Sequence, residues 1–323
     1  MAVAPTHRPD RRARRARAGL AGVAAVAVLA LVGGCSTAGS AGTSGDAVAG
    51  GRVVQVVAAE NFWGSIAAQL GGSHARVTSI ITNPDTDPHS YEPTTSDART
   101  LTTAQLAIVN GIGYDGWADK LLATNADSGR TELNVGNLVG IAPGGNPHRW
   151  YSPTDVRRVI AQITADYRKL DPADAGYFEQ RESVFEAQTL APYNRLIASI
   201  KASYAGTPIG ASESIVTPLA QGLGLKLLTP ESFLDAMSEG SDPTAADKSL
   251  IDQQIREKQI KIYVYNTQNS TPDVIAQVNL AKQEGIPVAT VTETLSPAGD
   301  TFEQWQVGEL QGIAAALKAA GAK

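Results

Sequence analysis

The sequence predicts an α/β protein of two lobes, each a small parallel-rich sheet with helices on both faces, joined by one long helix. Two observations carry this. From Arg52 onward, short β-rich runs alternate with helical patterns, the rhythm of βα units rather than of an all-β or all-α domain. The rhythm pauses once, between about Asp171 and Tyr204, in a helical stretch whose only proline beyond its first turn is Pro192, long enough to cross between lobes.

The first lobe, residues 52–170, opens with a strand near Val53–Val57 and a helix from about Phe62 to Leu70. A strand near Arg76–Ile81 then leads into the loop Thr82–Pro93; loops at the carboxyl ends of parallel strands are where such folds place ligands. A helix from Ser96, a strand near Leu106–Asn110, a helix near Asp115–Ala123 and a Gly/Pro-rich loop over Ala142–His148 follow. Ser152 and Pro153 read as the N-cap and first turn of the next helix. After the linking helix, 171–204, the second lobe covers 205–323. It alternates strands near Pro208–Ala211, Lys226–Leu228, Ile260–Tyr265 and Val288–Val291 with helices near Ile215–Gln221, Thr244–Lys258, Pro272–Gln283 and Thr301–Ala319. Asp300 reads as the N-cap of the last helix.

Residues 1–34 read as a lipoprotein signal peptide. Arg8, Arg11, Arg12, Arg14, Arg15 and Arg17 precede an apolar run from about Leu20 to Val32. That run is shorter than the ~20 residues a membrane-spanning helix needs. The paired arginines lack the residues that usually follow a twin-arginine export signal, so both export routes stay open. The only cysteine, Cys35, ends Leu31-Val32-Gly33-Gly34-Cys35, which resembles the lipobox of bacterial lipoproteins and makes Cys35 the expected lipid anchor. Acylation of both the thiol and the new N-terminus would hold the protein stably where one chain would not. The mature chain then has no thiol for a disulfide. Residues 35–51, built mostly of Ser, Thr, Gly and Ala, read as a flexible tether.

A formal charge of -5 and a pI near 5.5 argue against a nucleic-acid binder, which needs a basic surface. Of the four histidines, His7 lies in the signal segment and His74 in the turn Gly71-Gly72-Ser73-His74, where solvent exposure is expected. The other two share an unusual context. His89 lies in Asp87-Pro88-His89-Ser90-Tyr91-Glu92-Pro93, and His148 in Asn146-Pro147-His148-Arg149-Trp150-Tyr151-Ser152-Pro153. In each, prolines before and after the imidazole stiffen the backbone, which suits a ligand that must not reorganise. Neither belongs to a close His/Glu or Cys/His cluster. A metal here has to be gripped by groups converging from distant loops.

These two motifs, in this order, resemble the zinc- and manganese-binding solute receptors of ABC importers, the cluster A-I binding proteins. The resemblance runs from about Val53 to the C-terminus. It implies two α/β lobes held by a rigid helix with limited motion on metal binding, and an extracytoplasmic monomer serving a permease and an ATPase. It also implies that His89 and His148 are metal ligands. The third ligand of the family falls on Glu213 in Ala211-Ser212-Glu213-Ser214, where many zinc-specific members carry histidine. The fourth falls on Glu293 in Val291-Thr292-Glu293-Thr294, with Asp300 a rival in the same loop.

Two imidazoles with two carboxylates form a harder site than thiolates or histidines alone. This tilts the expected cargo, one Mn2+ or Zn2+ ion, toward manganese. Intrinsic affinity nevertheless puts zinc above manganese for almost any ligand set. Such a site should release its metal as pH falls through ~6.5, because protonated imidazole cannot ligate. Two other classes remain in play: an extracytoplasmic metallohydrolase, which needs an open coordination position, and an adhesin or structural lipoprotein stabilised by metal. Trp63, Tyr91 and Trp150 lie near the cleft loops and either shield the metal from water or pack as core, with core packing preferred, and Glu60 reads as a residue near the start of a helix.

Overall fold

The computed structural model describes residues 52–322 apart from Asp85 and Asp87. The expected signal peptide, tether and Cys35 anchor lie outside the described residues. Val54–Glu60 (β1) is buried along nearly its whole length, as a central parallel strand must be when helices cover both faces. It is followed by Asn61–Gly71 (α1), Ala75–Ile81 (β2), Thr95–Thr102 (α2), Leu106–Val109 (β3), Gly116–Thr124 (α3), Thr131–Asn134 (β4) and Val135–Val139 (α4). The four strands are parallel in the order β2-β1-β3-β4.

Three helices come next, Pro153–Leu170 (α5), Ala175–Val184 (α6) and Ala191–Tyr204 (α7). The remainder is Pro208–Ala211 (β5), Val216–Leu223 (α8), Lys226–Leu227 (β6), Glu231–Ser238 (α9), Ala245–Arg256 (α10), Ile262–Asn266 (β7), Pro272–Gln283 (α11), Val288–Val291 (β8) and Phe302–Ala319 (α12). Its strands are again all parallel, in the matching order β6-β5-β7-β8. The α/β class is as the sequence predicts, with two parallel four-stranded sheets flanked by helices. In both sheets the winding reverses between the first and third strands, and ligand sites of open α/β folds form at that reversal.

The segment expected as one linking helix over 171–204 is divided. A 3-10 turn, Pro172–Asp174, precedes α6, and a π turn, Phe185–Thr189, separates α6 from α7. Pro192 explains the π turn. It lacks an N–H, and its ring crowds the carbonyl four residues back, so the chain widens just upstream and Leu190 N–H bonds Phe185 O at 2.8 Å.

Helix α5 buries Val156, Val159, Ile160, Ile163 and Tyr167, a stripe at helical spacing, and Ser152 caps it by accepting from the Asp155 N–H. A Cβ on Gly222 would stand 2.6 Å from Pro153 Cδ, so only glycine lets α8 lie against the start of α5. The short elements β4, α4 and α9 escape the sequence reading, which sees no long periodic run in four to eight residues. The last helix is capped by Thr301, in a capping box with Gln304, rather than by Asp300. His74, expected in solvent, is largely covered: its ring centroid lies 4.0 Å from that of Tyr177, tilted by 32°, and its Nδ1 lies 3.0 Å from Asp174 Oδ2.

Candidate metal centre

The loops leaving the strand ends bring three of the expected ligands together. One donor atom each from His89, His148 and Glu293 lies within 4.8 Å of the others. His89 sits on the short 3-10 turn Pro88–Ser90 after β2, and its side chain keeps 22% exposure. Its Nε2 stands 3.8 Å from Glu293 Oε2, too far for a hydrogen bond and a natural spacing for two ligands on one ion. His148 is fully buried against Trp150, whose own ring stacks on Phe62 at 4.0 Å.

His148 is held as a neutral imidazole. Burial above all, then the nearby His89 and Arg149, holds its pKa well below the usual histidine range. Its Nδ1 lies 3.1 Å from Asn146 Oδ1, while the buried Nε2 has no hydrogen-bond partner. A hydrogen bond donated by the Asn110 side-chain Nδ2 to Pro147 O, 2.9 Å, fixes the loop behind it, and Trp63 Nε1 in turn donates to Asn110 Oδ1. Trp63 and Trp150 are core residues, as expected. Tyr91 packs edge-on against Trp117.

Glu293 follows β8 and receives the Tyr114 hydroxyl at 2.9 Å on Oε2 and the Asn266 amide at 3.2 Å on Oε1. Tyr114 reaches it from a strained loop: Gly111, Ile112 and Gly113 all take positive φ, and Ile112, at 65°, is β-branched. Asp115 stabilises that loop by accepting from the N–H groups of Asn110 and Gly111, both at 2.7 Å. Asp115 is buried beside Glu60. Desolvation first, then this proximity, pushes Glu60 well above the carboxylate range, and desolvation pushes Asp115 up to about 6. Glu60 is the residue before α1, as expected, and is not one of the three-residue group.

Glu213, between β5 and α8, is buried but stands outside the three-residue group. Its two oxygens accept from Asn266 and Asn269, so Asn266 links Glu213 to Glu293. A cavity of about 540 Å³ is lined by His89, Glu213 and Glu293 together. Asp300 is not part of the group and faces a different cavity beside α12. Sequence reasoning missed Tyr114, Asn146, Asn266, Asn269 and Gln268, whose Oε1 accepts from the backbone N–H groups of Glu293 and Thr294. The polar cluster Asn266-Thr267-Gln268-Asn269 directly after an apolar strand was the available signal.

Residues 56–316 match the family described as ZnuA, zinc-uptake complex component A, periplasmic. The chain belongs to this family. The ZnuA-family chain is 28% identical over 130 residues to the manganese-binding lipoprotein MntA of Halalkalibacterium halodurans, covering 39% of this chain and 42% of that protein. It is 27% identical over 252 residues to the iron-binding protein YfeA of Yersinia pestis, covering 73% and 75% respectively. Its fold matches that of a Mn-bound periplasmic metal binding protein from Candidatus Liberibacter asiaticus with a TM-score of 0.67 at 22% identity, over 82% of this chain and 99% of that one.

Proposed function

We propose that this chain is an extracytoplasmic receptor that takes one Mn2+ or Zn2+ ion through His89, His148, Glu213 and Glu293 and delivers it to the permease and ATPase of an ABC importer. The observation that carries the reading is the meeting of His89, His148 and Glu293 donor atoms within 4.8 Å, from loops about two hundred residues apart in a ZnuA-family chain. Two neutral imidazoles and two carboxylates cancel the charge of a divalent ion and supply the nitrogen and oxygen donors that manganese, iron and zinc accept. Relatives named for manganese and iron support a cargo of this class. The carboxylate share favours manganese.

Glu213 completes the shell by leaving the amides of Asn266 and Asn269 when the ion arrives. Four protein ligands close a coordination sphere, which suits capture and release better than hydrolysis, where one position must hold water. The receptor works as a monomer, and acylated Cys35 tethers it to the membrane. Among the described residues no helix is long and apolar enough to cross a membrane.

Elemental analysis of the purified protein beside His89→Ala and Glu213→Ala tests the site. Fewer bound ions in each variant than in the parent are expected; unchanged stoichiometry in both overturns it. Because burial depresses the His148 pKa, its part in acid release comes below pH 6.5 rather than at it.

A further inference from the structure

We propose a second divalent-cation site, remote from the first, formed by His74, Asp171 and Asp174 where the C-terminal ends of α1 and α5 meet. One donor atom from each of the three residues lies within 4.8 Å of the others. His74 ends the 3-10 turn Gly72–His74 that follows α1 directly, and Asp171 is the residue that terminates α5. Asp174 closes the 3-10 turn leading into α6.

Asp171 is the observation that asks for a ligand. It is only 5% exposed, and its Oδ2 is buried with no hydrogen-bond partner. It makes no side-chain cap to the turn that follows it. Its place is also unfavourable for an anion, because the last carbonyls of α5 carry the negative end of the helix dipole. A buried carboxylate at such an end needs a compensating positive charge. Among the described residues, no lysine or arginine forms an ion pair with Asp171 or Asp174. The one group at hand is His74, which hydrogen-bonds Asp174 through Nδ1 at 3.0 Å and is held by the Tyr177 ring.

A divalent ion meets each of these conditions. It neutralises two carboxylates, gives the orphaned Oδ2 a partner and accepts the imidazole nitrogen in place of Asp174. Donors about 2.1 Å from a metal stand roughly 3–4 Å apart, so a small closure of the group suffices. One imidazole with two carboxylates selects transition ions such as Mn2+ or Zn2+ over Ca2+ and Mg2+, which take oxygen alone. The ion ties the end of α1 to the corner between α5 and α6. Those helices also carry the Tyr167 hydroxyl to Ala67 O bond, 2.8 Å, one turn away. Its role is therefore a clamp on the scaffold that holds the His148 loop at the other end of α5.

The test counts bound Mn2+ on the metal-stripped full chain by the loss of the six-line EPR signal of the free ion. Two bound ions are expected in the parent, one in Asp171→Asn, one in His148→Ala and none in the double variant. Asp171→Asn preserves shape and removes the buried charge, so its metal-free form should melt no lower than the parent. His74→Gln, at a less buried position, provides an independent reading. The proposal is overturned if folded Asp171→Asn and His74→Gln both bind as many ions as the parent. Failure of the central site shows separately, as an unchanged count in His148→Ala.

Discussion

Asn146 sets the tautomer of His148. Its Nδ2 donates to Ser214 O at 2.7 Å, so its Oδ1 is the atom that faces the histidine, accepting from the backbone N–H at 3.0 Å and lying 3.1 Å from Nδ1. An acceptor opposite Nδ1 requires a proton there, which leaves the lone pair on Nε2, the atom proposed to take the metal. The same side chain joins the His148 loop to the residue after Glu213. Asn146→Ala should therefore weaken metal binding by about 10–100-fold, the usual effect of removing a ligand's orienting partner. Asn146→Asp, which keeps an acceptor opposite Nδ1, should recover part of that. Isothermal titration with Mn2+ or Zn2+ measures both, and equal affinities for parent and Asn146→Ala would refute the role.

Asn266 separates two carboxylates that repel one another when no metal is bound. Its amide reaches both Glu213 and Glu293. Asn266→Ala takes a donor from both carboxylates, a loss of about 1–2 kcal/mol, or roughly 2–6 °C in melting temperature for a protein of this size. A bound ion neutralises the pair without help from the amide. The metal-induced rise in melting temperature should thus be larger in Asn266→Ala than in the parent, and differential scanning calorimetry with and without metal decides it.

Glu293 and Asp300 compete for one role on sequence, and their surroundings separate them. Glu293 shares the donor group with both histidines, whereas Asp300 is outside it. Glu293→Ala is expected to lower affinity by at least 100-fold, about 3 kcal/mol. Asp300→Ala should bind as the parent does. Competition titrations against a chelating indicator distinguish these, and the reverse ranking would exchange the two assignments.

Glu60 makes the fold sensitive to rising pH. Its folded pKa lies well above 4.5, so the native state binds a proton that the unfolded chain has released. The stability this carboxyl contributes is complete below about pH 4.5 and declines as pH climbs toward the folded value. Asp115, raised to about 6, acts with the same sign from the ordinary aspartate range upward. Glu60→Gln removes the ionising group and keeps its shape. Its melting temperature should match the parent's near pH 4 and exceed it increasingly toward pH 8; a difference independent of pH would count against the account.

Several things were determined by the sequence alone. The strand Val288–Val291 and the helix Pro272–Gln283 lie where local pattern puts them, because a short β-branched run and proline at a first turn act within a few residues. The two Pro-His loops were equally legible, since proline stiffens its neighbours wherever the chain goes. Tertiary structure decided what depends on distant partners. Tyr114 meets Glu293 across 179 positions through a left-handed Ile112 that no propensity favours. Asn266 gains its role only because β7 lies between β5 and β8, beside the strands that lead into Glu213 and Glu293. Asp171 opens the linking helix expected from sequence, and only the tertiary structure makes it the residue that closes α5 and buries its Oδ2 without a hydrogen-bond partner.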